Sequence, residues 1–248
     1  NDGLWDHVND FHMGISNDLC AEIYGVTRED QDRYAAESYR RALAAIADGR
    51  FRDEILPVEI PQRKGAPVIL GQDECVRETS YEALAAMRPA FQKTGTATAG
   101  NASIISDGAA AVVVMAREKA EALGCPVMAG IGAQASYGIE MKYVLVAPIW
   151  AIPKCLAKQG ITAADVDLFE INEAFSGSTL AVLRELNLDP KRVNVNGGAV
   201  SLGHPIGASG CRVLVTLLYE MARRNSKTGL ASLCLGGGEA VAMVVKRP

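Results

Sequence analysis

The chain has 248 residues, 49% of them apolar, enough for one large packed core or two ordinary domains. With 25 Lys plus Arg against 29 Asp plus Glu, the net charge of -4 gives no general reason to expect nucleic acid or an anionic membrane as a partner. Six cysteines are scattered without a C-x-x-C pair, which disfavours a disulfide framework and a zinc site. A reducing compartment follows, cytoplasmic or comparable to the mitochondrial matrix. No apolar run approaches the roughly 18 residues of a spanning helix, so no membrane span is expected. Asn1-Asp2-Gly3 carries no initiator Met and no leader, and the sequence is expected to start partway through a longer polypeptide.

The spacing predicts a helix over residues 27–47, with Thr27 as cap, Glu29 and Asp30 in the first turn and Gly49 just beyond the end. Ala35, Tyr39, Ala42 and Ile46 form its buried stripe. Residues 51–101 are irregular and rich in Pro, Gly and charge, with weak strand signals at 55–60 and 68–70. After Ser106-Asp107-Gly108 the character changes: 109–115 is a continuous apolar run of the kind buried on both faces of a sheet. A helix over 117–123 ends at Gly124 and Pro126. Further strands are read at 127–133, 166–171, 193–195, 230–235 and 240–245, separated by helices at 151–159, 175–186 and 209–224. This alternation argues an α/β layered domain with a mixed sheet, ending in an antiparallel hairpin around a glycine-rich turn.

Two reactive side chains sit in glycine frames near the C-terminus, His204 in Gly203-His204-Pro205-Ile206-Gly207-Ala208-Ser209-Gly210 and Cys234 in Cys234-Leu235-Gly236-Gly237-Gly238. A cysteine where a buried strand enters three glycines has bare backbone N–H groups beside it; a cysteine that merely ends a core strand is the plainer alternative. An imidazole just before a helix N-terminus tends to stay neutral, which suits a proton acceptor or hydrogen-bond donor. Asn172, in Asn172-Glu173-Ala174-Phe175, lies where a strand gives way to a helix, and on local grounds it is better read as a helix cap than as a site residue. Asn196-Gly197-Gly198-Ala199 and the glycines after His204 do not make a dinucleotide fingerprint. The chain order Asn172, His204, Cys234 differs from the Cys, His, Asn order of papain-like enzymes, which disfavours a hydrolase. His7 and His12 have no metal-ligand spacing, and no metal is expected.

Taken together and in this order, these motifs resemble the C-terminal motifs of thiolases, the acetyl-CoA acetyltransferase and 3-ketoacyl-CoA thiolase family. The resemblance runs upstream through Phe11-His12-Met13-Gly14, Glu29-Asp30-Gln31-Asp32, Gly49-Arg50-Phe51, Arg88-Pro89-Ala90-Phe91 and Thr98-Ala99-Gly100-Asn101-Ala102-Ser103, and so covers essentially the whole chain. It implies the five-layer α-β-α-β-α thiolase fold, with residues 1–105 as the loop domain that covers coenzyme A, 106–127 as the last strand and helix of the N-terminal half, and 128–248 as the C-terminal domain. It also implies an acetyl-CoA C-acyltransferase that makes or cleaves the carbon–carbon bond of 3-ketoacyl-CoA through an acyl-cysteine, with no cofactor beyond the coenzyme A thioester. His204 would favour the nucleophile's thiolate, Cys234 would be general base or acid at the α-carbon, Asn172 would hold an oxyanion-hole water and the Gly236 N–H would serve a second oxyanion hole. Ser103, His12, Met13, Phe91, Ala99, Ile105 and Phe175 would line the pantetheine and acyl channel.

Two departures stand out. The thiolase nucleophile belongs to the N-terminal half, and none of Cys20, Cys75, Cys125, Cys155 or Cys211 sits in a matching motif. It is therefore expected outside this chain, on an N-terminal segment or a separate polypeptide, and a strand such as 109–115 needs a partner sheet that this chain alone does not supply. Val144-Leu145-Val146-Ala147-Pro148 stands where thiolases commonly place a glycine-containing segment, which puts branched side chains at the acyl pocket. A homodimer or tetramer is expected. The alternative is a non-catalytic thiolase-like subunit that binds acyl-CoA, lipid or a scaffold.

Overall fold

A computed structural model describes residues 3–248. The chain opens with a short antiparallel ladder of β1 (Trp5–Asp6) and β2 (Phe11–His12), which runs into α1 (Met13–Ile23). A ring nitrogen caps α1: His12 Nδ1 accepts the Gly14 N–H at 3.0 Å. α2 (Arg28–Ala47) begins at a capping box, in which Thr27 Oγ1 accepts the Asp30 N–H at 3.1 Å and the Asp30 carboxylate accepts the Thr27 N–H at 2.9 Å. Ala35, Tyr39 and Ala42 are buried as expected, but Ala45 rather than Ile46 completes the stripe. Replacing Thr27 by Ala removes one half of the box, and we expect a loss of about 1 kcal/mol, read as a fall of roughly 2–4 °C in Tm; an unchanged melt would mean that packing alone holds the first turn.

β3 (Val58–Ile60) and β4 (Val68–Leu70) pair as an outward hairpin, followed by α3 (Tyr81–Ala85). The strand expected at 109–115 does not form. Residues 107–116 carry no ladder among the described residues, and Val113 is 86% exposed. The run is apolar enough for a doubly covered strand, but no neighbouring strand among the described residues offers it hydrogen-bond partners. α4 (Arg117–Ala122) follows.

The rest is organised by a sheet of order β5-β8-β7-β6, with β5 (Gly130–Gly138), β6 (Leu168–Ile171), β7 (Thr228–Leu235) and β8 (Glu239–Lys246). β6 and β7 run parallel, the other pairs antiparallel, and β7 and β8 form the expected terminal hairpin. Period-two alternation divides the side chains between two helical layers. Phe169, Ile171, Leu230, Ala240, Ala242 and Val244 pack with α5 (Pro148–Gln159) and α6 (Ser176–Glu185). Leu168, Ala231 and Val245 pack with Val213, Leu217 and Met221 of α8 (Ser209–Arg224). The short α7 (Ala199–Leu202) precedes α8.

The strand expected at 193–195 is replaced by a side chain. Asn194, at φ 47°, accepts the Ile171 N–H through Oδ1 at 2.8 Å and donates to the Ile171 carbonyl through Nδ2 at 2.8 Å. Its carboxamide occupies the outer edge of β6, and Val193 keeps only a single bridge to Phe169. α1 and α2 pack on α6, and α2 also on α7, so these two helices lie over the helices that frame the end of β6.

Candidate active site

The parallel pairing of β6 and β7 builds the site. Ile171 lies opposite Ser232, and the next N–H, that of Asn172, donates to the Ser232 carbonyl at 3.0 Å, two residues before Cys234. Asn172 and Cys234 thus leave the same end of two adjacent strands. Asn172 does not cap α6, which starts at Ser176 after an extended Phe175; its Nδ2 instead meets His204 Nε2 at 3.2 Å. Oδ1 of the same carboxamide is buried and has no partner among the described residues.

His204 is tied to the loop before it and the helix after it. Its N–H donates to the Ile104 carbonyl at 2.8 Å, and Nδ1 lies 2.5 Å from Ser209 Oγ, at the first turn of α8. Burial, and then the neighbouring Arg212 guanidinium, lower the imidazole to a pKa of about 4. Both effects disfavour a second proton, so the ring is neutral at pH 7, as its place before a helix suggests.

Cys234, the penultimate residue of β7, is half-buried, and burial pushes its thiol up to about 11. Gly236 and Gly237 are exposed in the turn that follows. Gly238 has φ 87°, and a Cβ there would strike the Ile139 carbonyl; its absence allows the Gly238 carbonyl to accept the Ile139 N–H at 2.8 Å. Buried Cys20 belongs to the apolar cluster against which Cys234 packs, and its thiol is pushed up to about 12, first by burial.

Of the residues expected along a channel, His12, Phe91 and Phe175 form a connected aromatic wall. His12 stacks on Phe91 at 4.5 Å between centroids, and Phe91 meets Phe175 edge-on at 5.9 Å. Gly14 lets this happen, because a Cβ there would overlap the Phe91 ring. Met13 is buried in the same cluster as Phe175 and residues 144–146. Ser103 donates its N–H to the Ala174 carbonyl at 3.0 Å, Ile105 bridges His204 while its side chain is 75% exposed, and Ala99 is exposed. A cavity of about 600 Å³ lies elsewhere, between Val112, Leu214, Leu233 and Met243 on the α8 face of the sheet.

The sequence motifs did not single out Ser209, whose contact with His204 spans five residues of a turn, or Glu173. Fully buried Glu173 accepts from Tyr34 Oη and Ser38 Oγ at 2.8 Å each, from Asn194 Nδ2 at 3.0 Å and from the Val200 N–H at 3.2 Å, which fastens α2 to the loops of the site. Among the described residues no cluster of His, Cys, Asp and Glu could hold a metal ion, and no helix is long and apolar enough to cross a membrane.

Known proteins match over the whole length. A family model described as the thiolase N-terminal domain matches residues 1–118, and the thiolase C-terminal domain matches 125–247. The chain is 56% identical over 247 residues to an acetyl-CoA acetyltransferase of Pseudomonas aeruginosa and 50% identical to a probable acetyl-CoA acetyltransferase of Escherichia coli, covering 99% of this chain and 63% of each relative. It thus spans about 63% of the length of these curated relatives. The crystal structure of the Bacillus anthracis acetyl-CoA acetyltransferase superposes with a TM-score of 0.97 at 43% identity, over 99% of this chain and 62% of that one. Human mitochondrial 3-ketoacyl-CoA thiolase gives 0.95 at 37%, over 98% and 61%. With the motifs, the fold and both family models in agreement, the chain belongs to the thiolase family and has the thiolase fold.

Proposed function

We propose that this chain is the coenzyme-A-covering and C-terminal portion of an acetyl-CoA C-acyltransferase, and that its acyl-carrying cysteine lies outside the 248 residues. The observation that carries the reading is the contact of Asn172 with His204 at 3.2 Å, at the strand end that also delivers Cys234. In this reading His204 takes the proton of a thiol presented to the cleft; the thiolate attacks the acyl-CoA carbonyl, the thioester C–S bond breaks, and coenzyme A leaves as its thiol with the proton returned by the imidazolium. Cys234, once it has released its own proton to solvent, then removes a proton from the α-carbon of acetyl-CoA as a thiolate. The carbanion attacks the acyl carbonyl, the carbon–carbon bond forms and the acyl sulfur leaves with its electron pair. In cleavage the same thiol returns the proton to the α-carbon, a role that suits a group with a pKa of about 11. The free Oδ1 of Asn172 supports a bound water as an oxyanion donor, and the exposed Gly236 supports a second oxyanion site at its N–H.

The His12, Phe91 and Phe175 wall supports a coenzyme A channel, with Met13, Ala99, Ser103 and Ile105 along it. Buried Val144, Leu145 and Val146 give the acyl end a branched, apolar wall. The reading further assigns 1–105 to the loop domain, 106–127 to the end of the N-terminal half and 128–248 to the C-terminal domain, in a homodimer or tetramer. It is tested in the complete polypeptide by the condensation of acetyl-CoA and by Phe91→Ala, which opens the wall and should raise KM for the thioester on the order of tenfold, about 1.4 kcal/mol, while kcat changes less. Acyl-CoA binding without condensation or thiolysis would favour the non-catalytic subunit instead.

A further inference from the structure

We propose that Ser209 is a positioning residue that fixes the resting tautomer of His204, with the proton on Nδ1 and the free lone pair on Nε2. A chain of donors and acceptors leads to this tautomer. Ser209 Oγ lies 3.0 Å from the carbonyl of Pro205, four residues earlier, and donates to it in the back-bond that a hydroxyl in the first turn of a helix makes, beside the Ala208 and Ser209 N–H groups that reach the same oxygen at 2.8 Å. The lone pair that Oγ turns toward Nδ1 must then accept, and Nδ1 carries a proton. Burial and the Arg212 guanidinium, one helical turn along α8, keep the ring neutral, so Nε2 is bare. It accepts from Asn172 Nδ2 at 3.2 Å, which fixes the carboxamide with Oδ1 turned away, the atom that is buried and unpartnered among the described residues. One hydroxyl at the start of α8 thereby sets two side chains.

The consequence rests on the acyl-transfer reading above. A thiol in the cleft takes the place of the Asn172 amide at the unprotonated Nε2: the S–H bond breaks, an Nε2–H bond forms and the electron pair stays on sulfur. The ring, now an imidazolium held by Ser209, has an N–H to donate to a developing oxyanion. The opposite tautomer would offer a donor where a base is needed.

Long-range ¹H–¹⁵N NMR of the labelled complete polypeptide tests the proposal without measuring activity. Within these residues the three histidines are His7, His12 and His204. His12, whose Nδ1 accepts the Gly14 N–H, should show Nε2–H and serves as the internal reference. His204 should show Nδ1–H near neutral pH. Ser209→Ala should move it toward Nε2–H and lower condensation on the order of 10²-fold, with the His7 and His12 signals unchanged, and Ser209→Thr should restore both. An Nε2–H tautomer in the unaltered protein overturns the proposal, and so does an unchanged tautomer in Ser209→Ala; should that variant not fold, the unaltered protein and Ser209→Thr decide. A tautomer shift with condensation intact would leave the Ser209 lock standing and would remove His204 from acyl transfer.

Discussion

Cys234→Ala, made in the complete polypeptide, should still take up an acetyl group from acetyl-CoA yet lose condensation by at least ~10²-fold, the usual scale of a positioned acid–base group. The two half-reactions separate because they use different groups. Uptake needs only a nucleophile and the His204 base, both of which the substitution leaves in place. Carbon–carbon bond formation needs a proton removed from a thioester α-carbon, and the thiol at this strand end is Cys234, raised to about 11 by its apolar surroundings. The truncation itself is mild: it removes one sulfur atom, and the backbone of β7 and β8 is paired on both sides of it. Rapid-quench measurement of acetyl incorporation beside steady-state condensation reads both steps. Unchanged condensation would remove Cys234 from the mechanism, and loss of both steps with an intact fold would mean that the thiol positions the whole site.

Much of the fold was legible because its signals are local. The capping box at Thr27 and Asp30, the span of α8 between the loop after His204 and the left-handed Asn225, and the hairpin around Gly236–Gly238 each depend on residues within a turn of one another. The failures were those of partnership. The apolar run at 109–115 was read as a strand in want of a partner sheet that this chain does not supply, and among the described residues it has no ladder. At 193–195 the pattern of a strand was genuine, but the Asn194 carboxamide supplies the hydrogen bonds that a strand would have made, and no propensity reveals that exchange. α1 escaped notice because its cap is an imidazole instead of a hydroxyl or carboxylate. At the site, Asn172 read as a cap because asparagine at a strand–helix junction usually is one. Its real partner lies 32 positions away, and only the fold brings them together. Ser209 was visible as part of a motif, but its partner was not, since a five-residue contact across Pro205 and glycine belongs to neither helical nor strand periodicity.

Glu170→Gln should flatten the decline of stability on the alkaline side. Glu170 lies in β6 between Phe169 and Ile171 with 2% of its surface exposed, and burial raises its carboxyl to about 8. The neighbouring Glu173 and Glu54 push in the same direction, while Arg212 and Arg41 oppose. Glu54, which accepts from Thr216 Oγ1 at 3.1 Å, is itself raised to about 7. In the unfolded chain both carboxyls return to about 4.5, so between that value and the folded one the native state binds more protons. Their stabilisation is fully present below about 4.5 and is lost as pH rises through 7 and 8. His204 acts at the other end: unfolded near 6.5 and folded near 4, it favours the native state above 6.5 and withdraws that support as pH falls toward 4. An amide at 170 keeps the shape of the neutral acid and cannot ionise. At about pH 9 the variant should therefore be the more stable by a few kcal/mol, at roughly 1.4 kcal/mol for each pH unit that separates the folded and unfolded titrations, or several degrees in Tm at about 2–4 °C per kcal/mol. At about pH 4, where the carboxyl is protonated in the folded chain and mostly so in the unfolded one, parent and variant should melt nearly together. Thermal melts across this range decide the matter: parallel curves would mean that Glu170 ionises freely within the sheet, and that Arg212, two of whose nitrogens are buried without a partner among the described residues, is its counter-charge after all.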